Sequence, residues 1–188
     1  MRPVLLLGGL LSAAACAPAT PPVHPAPLAC GDDPAPPDRA RVVFERAPVD
    51  SGPRTRDANQ RPLHVVDTDG QLLGDLPQQT WFAQNLAPGA HTFFAWHDGY
   101  LNRHHVSALP LTLEAGHTYF VRAVPGAGAL WDLDLVVSSA PFDSSADLQA
   151  VQMDPAAARQ WSRDEASVVS ERLALGRATG RATIVGSR

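Results

Sequence analysis

The sequence has no lysine: all fifteen basic residues are arginine, and nineteen acidic residues bring the formal charge to -4. No cationic field is available to condense on a polyanion, which disfavours nucleic acid as a partner. Cysteine is scarce as well, with only Cys16 and Cys30, so neither a dense disulfide framework nor a CxxC pair is available. Long apolar runs are missing; Val4 to Leu11 falls far short of the roughly 20 residues that a membrane-spanning helix needs. Catalytic signatures are missing too. No serine sits in a GxSxG elbow, and the repeated Gly-Arg-Ala-Thr near the end lacks the spacing and the lysine of a phosphate loop. Asp132 and Asp134 share a strand face, as many solvated carboxylates do, and do not make a glycosidase. The sequence therefore reads as a non-enzyme with no cofactor.

With 188 residues, 45% hydrophobic and 18% charged, the chain has the composition of one globular domain with extensions. Its amino terminus carries an address. Arg2 gives a positive start, Val4 to Leu11 an apolar run, and Ser12-Ala13-Ala14-Ala15 a small-residue stretch before Cys16, the pattern of a secretion signal over residues 1–15. The small residues ending in Cys16 resemble a lipobox, although Ala13 stands where leucine is usual. The resemblance implies acylation of Cys16, an anchor in the cell envelope, and, with Ala17 next, the outer membrane. Two or more acyl chains hold a protein stably on a bilayer where one is marginal. The alternative is ordinary secretion, with Cys16 free to pair with Cys30.

Residues 16–39 are crowded with proline, which neither continues a helix nor donates to a sheet. They read as a tether. At about 3.1 Å per residue in polyproline II, such a stretch reaches on the order of 60 Å.

From residue 40 to 138 short runs of period two alternate with Gly, Pro, Asn and Asp, which predicts an all-β domain: an antiparallel two-sheet β-sandwich of immunoglobulin-like or prealbumin-like size. Val42 and Phe44 share a face of the first strand. Asp69-Gly70 marks a hairpin turn, Ala87-Pro88-Gly89 another turn, and Pro110 an edge strand. In the last strand Trp131, Leu133, Leu135 and Val137 alternate with Asp132 and Asp134. Residues 139–188 form a C-terminal extension with a helix over about 155–175: Asp154 as cap, Pro155 at the first position and Gly176 at the end. Ser162 and Glu165 have capping-box spacing, so two shorter helices are the alternative. Trp161, Val168, Val169 and Leu173 give a loose stripe for docking on the sandwich, or for a partner.

Three turn motifs, Asp69-Gly70-x-x-x-Gly74, Leu86-Ala87-Pro88-Gly89-Ala90-His91 and Leu113-Glu114-Ala115-Gly116-His117-Thr118-Tyr119, resemble a family of β-sandwich domains of unknown function in bacterial envelope lipoproteins, loosely similar to PEGA-type repeats. That family has no agreed catalytic residues to transfer. The insertion-like stretch 47–61 departs from its compact pattern.

Histidine and aromatics supply the candidate sites. His97, His104, His105 and His117 are weak metal candidates, because three imidazoles and a carboxylate such as Asp98 could hold zinc if they converge. Adjacent His104 and His105 point to opposite faces of a strand, so at most one joins. Trp81, Trp96, Tyr100, Arg103 and His104 lie around strand ends and could form a platform for a glycan or an envelope protein; for the two tryptophans, buried core is the favoured reading, since large aromatics are usually mostly buried. His91 reads as a brace for its turn. The functional expectation is a lipid-anchored, non-catalytic scaffold or interaction module, with a small-ligand, sugar or metal-binding domain second and a zinc-dependent hydrolase third. Intact-mass measurement on the native protein is expected to show a chain that begins at Cys16 and carries acyl chains; an unmodified Cys16 overturns the anchor.

Overall fold

The computed structural model describes residues 33–48, 61–97, 106–125, 133–138, 140–142 and 148–179. The strands are β1 (Ala40–Arg46), β2 (Leu63–Val66), β3 (Leu72–Leu76), β4 (Thr80–Leu86), β5 (Gly89–His97), β6 (Ser107–Leu113), β7 (Thr118–Pro125), β8 (Leu133–Ser138) and β9 (Gln149–Ala150). Two helices follow, α1 (Pro155–Asp164) and α2 (Ala166–Thr179). The fold is mostly β and sandwich-like: a five-stranded sheet ordered β8-β7-β1-β4-β9 and a four-stranded sheet ordered β3-β2-β5-β6.

Alternation along each strand sends every second side chain into the space between the sheets. Val42 and Phe44 of β1 meet Leu63 and Val65 of β2, Phe93 of β5, Leu109 of β6 and Val121 of β7 there. Phe44 ties the layers together, stacked on Phe82 and edge-on to Phe93, with ring centroids 5.1 Å apart in both pairs. Gly74 fits because it lacks a side chain: a Cβ there would lie 2.7 Å from the Phe82 ring.

The expected hairpin forms. β2 pairs antiparallel with β3, Gly70 sits in the left-handed region at φ 81°, and Asp67 Oδ1 accepts from the amides of Asp69 and Gln71. Pro110 is exposed on β6, an edge strand, as a residue without an N–H must be. His91 Nε2 hydrogen-bonds to the Ala87 carbonyl at 2.8 Å and so braces the β4–β5 turn. The Tyr119 hydroxyl accepts from the Glu114 amide across the β6–β7 turn.

The expected strand directions need correction. The sandwich is not antiparallel throughout, because β1 pairs with β7 in parallel, from Arg41 opposite Thr118 to Arg46 opposite Ala123, and β4 pairs with β9 in parallel. Period-two alternation encodes which face a side chain takes and is blind to strand direction.

Both outer faces are apolar, and the stretch after Ser138 covers them. Outside the five-stranded sheet, Val43, Trp81 and Phe120 pack under Leu148 with Phe142 beside them. Outside the four-stranded sheet, Val66, Leu72, Phe94, Trp96, Val106 and Ala108 pack under Ala158, Val169 and Leu173. Exposing Val66, Leu72, Phe94 and Trp96 would cost roughly 2 kcal/mol each, together comparable to the whole stability of a small domain. The helices therefore belong to the fold, and docking is the role of their apolar stripe.

Asp154 caps α1, accepting from the Ala156 amide at 3.0 Å, with Pro155 in the first turn. The helical stretch does break in two, at Glu165, whose amide donates to the Trp161 carbonyl while its own carbonyl accepts from Val169. Ser162 is not the second cap. Its hydroxyl donates to the Ala158 carbonyl and accepts from the Leu72 amide, stitching α1 to β3. Nor does Gly176 end the helix, which continues to Thr179; Gly176 is a contact point, where a Cβ would stand 2.7 Å from Phe94 Cδ1 and 3.1 Å from Val106. Among the described residues no helix is long and apolar enough to cross a membrane.

Helix propensity alone would favour Gly176→Leu by about 1 kcal/mol. Overpacking against Phe94 should instead lower the unfolding free energy by about 1–3 kcal/mol, measured by urea denaturation.

Candidate functional site

The two sides of the sandwich differ. On one side β6 lies against β8 and the sheets close on each other. On the other, where β3 and β4 also touch, a groove of about 800 Å³ is lined by both strands and by residues 150–155. Leu73, Gly74 and Phe82 form an apolar floor, and Gln84, Gln152 and Met153 stand on its walls. Among the described residues the rim carries Asp33, Asp75 and Asp154 against one cation, Arg41, whose Nη2 lies 3.3 Å from Asp33 Oδ2.

Local chain chemistry positions each part. Asp33 lies seven residues before β1 starts, among the groove's lining residues. Asp75 points outward from β3 and meets His64 Nδ1 at 2.7 Å. His64 is buried under α1, its ring 5.0 Å from that of Trp161 and 6.0 Å from that of Trp96. The β3–β4 turn at the end of the groove holds Gln79 at φ 58°, a left-handed conformation uncommon outside glycine. Its carbonyl accepts from Gln149 and starts the β4–β9 pairing, while the Thr80 hydroxyl donates to Pro77.

A second polar group lies at the end of the sandwich where β1, β5 and β7 finish. Inside, Arg46 is fully buried and its Nη1 donates to the carbonyls of Arg61 at 2.8 Å and Leu76 at 3.1 Å. Burial pulls its pKa down to about 10, so it stays charged at neutral pH. Beside it, His97 Nδ1 faces the Pro62 carbonyl at 3.4 Å. Burial first, then the charge of Arg46, pulls the His97 pKa down to about 4, and the imidazole is neutral at pH 7. On the outer face, buried Glu45 accepts from Arg122 Nε at 2.6 Å, and the guanidinium lies 4.2 Å over the Phe142 ring.

These placements sort the residues proposed from the sequence. Trp81 and Trp96 are 4% and 2% exposed and lie on the outer faces of different sheets, so they share no surface. Core packing is what their burial fits. His97 sits at the end of β5 beside Arg46, whereas exposed His117 precedes β7 at the opposite end, its Nδ1 hydrogen-bonding to the Ala115 carbonyl. From Arg41 to Arg46 the intervening strand alone spans roughly 16 Å, so His97 and His117 cannot share a metal ion. Tyr100, Arg103, His104 and His105 lie outside the described residues, as do Cys16, Cys30 and Trp131. Among the described residues no three potential ligands cluster for a metal.

The sequence reading missed Arg46, Glu45, His64 and Asp75. For Arg46 a signal existed: it follows Val42 and Phe44 on the inward parity, so alternation alone aims a guanidinium into the core. The groove had no local signal, since residues from 33 to 155 build it. The chain matches no known protein family model and no curated protein, so sequence and geometry carry the functional reading.

Neutral burial of His97 sets a pH dependence. Its folded pKa lies below the unfolded value of about 6.5, so the unfolded chain takes up the proton first. Its contribution is complete above pH 6.5 and is lost as the pH falls towards 4, an effect on the order of 3 kcal/mol. Denaturation midpoints between pH 7.5 and 4.5 are expected to fall for the native chain and to fall less for His97→Leu.

Proposed function

We propose that this protein is a lipid-anchored lipoprotein of the cell envelope, most consistent with the outer membrane, whose sandwich is a non-catalytic interaction module and whose groove is the binding surface. The observation that carries the reading is the distribution of cover. The chain spends its own residues on both outer faces of its sheets, while the groove stays concave, apolar at the floor and polar at the rim. Ligand and partner sites share that composition.

The amino-terminal half of the reading rests on the signal-like residues 1–15, on Cys16 and on the proline-rich stretch after it. A tether that ends at the rim of the groove would present that surface to a partner at a distance from the bilayer. The two sheets suit a sandwich of immunoglobulin-like or prealbumin-like size, and the three turn motifs support kinship with the β-sandwich domains of envelope lipoproteins.

A second reading has one specific observation behind it. At about 800 Å³ the groove falls within the size range of small-molecule pockets, so a sugar or other small ligand is the alternative occupant.

A photoreactive amino acid placed at exposed Gln152, inside the groove, tests the module reading in intact cells. It is expected to yield a discrete protein adduct that the same group at exposed Glu171 on α2 does not. Identical adduct patterns from the two positions, or none from Gln152, overturn the reading.

A further inference from the structure

β9 covers only the beginning of β4. Thr80 and Trp81 pair with Gln149 and Ala150, the Val151 amide donates to the Trp81 carbonyl at 2.8 Å, and the chain then leaves for the cap at Asp154. Because backbone groups alternate sides along a strand, the contact through Trp81 places the amides and carbonyls of Ala83 and Asn85 on this same edge. The other side agrees: the Arg41 amide, opposite Asn85, donates to the His117 carbonyl and so points away from β4. Among the described residues no strand lies beside Ala83 and Asn85 on that edge, and Asn85 is exposed.

The facing edge of the other sheet is not equivalent. On β3 the Leu72 amide is taken by Ser162 Oγ at 2.9 Å and the Leu73 carbonyl by Gln84 Nε2 at 2.9 Å. β4 thus offers the ladder, while β3 contributes Leu73 and Gly74 to the floor. Charge narrows the occupant, since among the described lining residues three carboxylates, Asp33, Asp75 and Asp154, stand against one guanidinium, that of Arg41. An arriving strand would lay alternate side chains on Leu73 and Phe82 and bring its cations to that rim.

We propose that the free edge of β4 at Ala83–Asn85 takes up, by strand addition, an extended arginine- or lysine-bearing segment of a partner protein. The proposal rests on the interaction-module reading and deepens it. β9 already shows that this edge accepts a short parallel strand, and the incoming segment would continue where β9 departs.

The test uses the full chain, isotope-labelled, and a terminally blocked hexapeptide of alternating valine and arginine. Saturable shifts centred on the Ala83 and Asn85 amides, with slowed hydrogen exchange there, are expected. One of two N-methylated peptides, blocked at alternate backbone positions, should bind about tenfold more weakly, the equivalent of one or two lost hydrogen bonds. A peptide with glutamate in place of arginine should also be weaker. Ala83→Pro removes a donor that faces the groove and spares the β1 ladder, so it should abolish the shift at the Asn85 amide with the circular dichroism spectrum unchanged. If that variant misfolds, the N-methylated peptides decide alone. Binding without shifts at Ala83 and Asn85, equal affinity for all backbone-methylated forms, preference for the glutamate peptide, or no binding at millimolar concentration each overturns the proposal. A cellular adduct at Gln152 with any of those results leaves the module reading standing and removes only strand addition; peptide binding at Ala83 without an adduct removes the module reading and, with it, a partner protein for this edge.

Discussion

Neither sheet of this protein has a face it can leave in water, and the rest of the architecture follows from that. β1 shows the constraint at its sharpest, with Val42 and Phe44 buried on one side and Val43 and Glu45 on the other. A two-layer sandwich satisfies only the inner faces. The chain must therefore return twice after β8, once across the outside of the five-stranded sheet with Phe142 and Leu148, and once across the outside of the four-stranded sheet with α1 and α2. The passage between these two coverings has to go round an edge, and residues 149–154 make it. Pairing as β9 and then capping α1, they convert a simple sheet margin into a walled groove. The candidate site is a by-product of how the hydrophobic faces are closed.

Charge is handled by the same layering. Arg46 and His97 lie between the sheets, Glu45 and Arg122 outside one sheet, and His64 and Asp75 between the other sheet and the helices. All stand near one end of the sandwich, where β1, β5 and β7 finish. A buried cation is tolerable when carbonyls solvate it, and Arg46 has those of Arg61 and Leu76. Its charge in turn helps keep the neighbouring imidazole neutral.

Much of the strand pattern was legible in the residues. Asp69-Gly70 gave the hairpin, Pro110 the edge, the alternation of Leu135 and Val137 the last inward face, and Asp154-Pro155 the start of the helical layer, because each is a local rule about dihedral angles or period. Pairing was not legible, since the parallel match of β1 with β7 joins segments about 77 positions apart. The end of the second helix misled because glycine has two uses: Gly176 serves close approach to Phe94 where its backbone freedom suggested a stop. As for the site, burial was the favoured reading of Trp81 and Trp96 because large aromatics are usually core residues, and they pack on separate layers. His64 and Asp75 stand eleven positions apart and become neighbours only through the β2–β3 register.

The stitch between Ser162 and the Leu72 amide has a consequence for the fate of the chain. While α1 is seated, that backbone donor on β3 is answered and the apolar stripe of Phe94 and Trp96 is roofed over. A cut in the crossing segment around Gln152 would free the helices to leave, baring an unmet amide and a greasy sheet face in one event. A molecule clipped there would become adhesive along its side, so a single cut among a few exposed residues would decide whether that face stays covered.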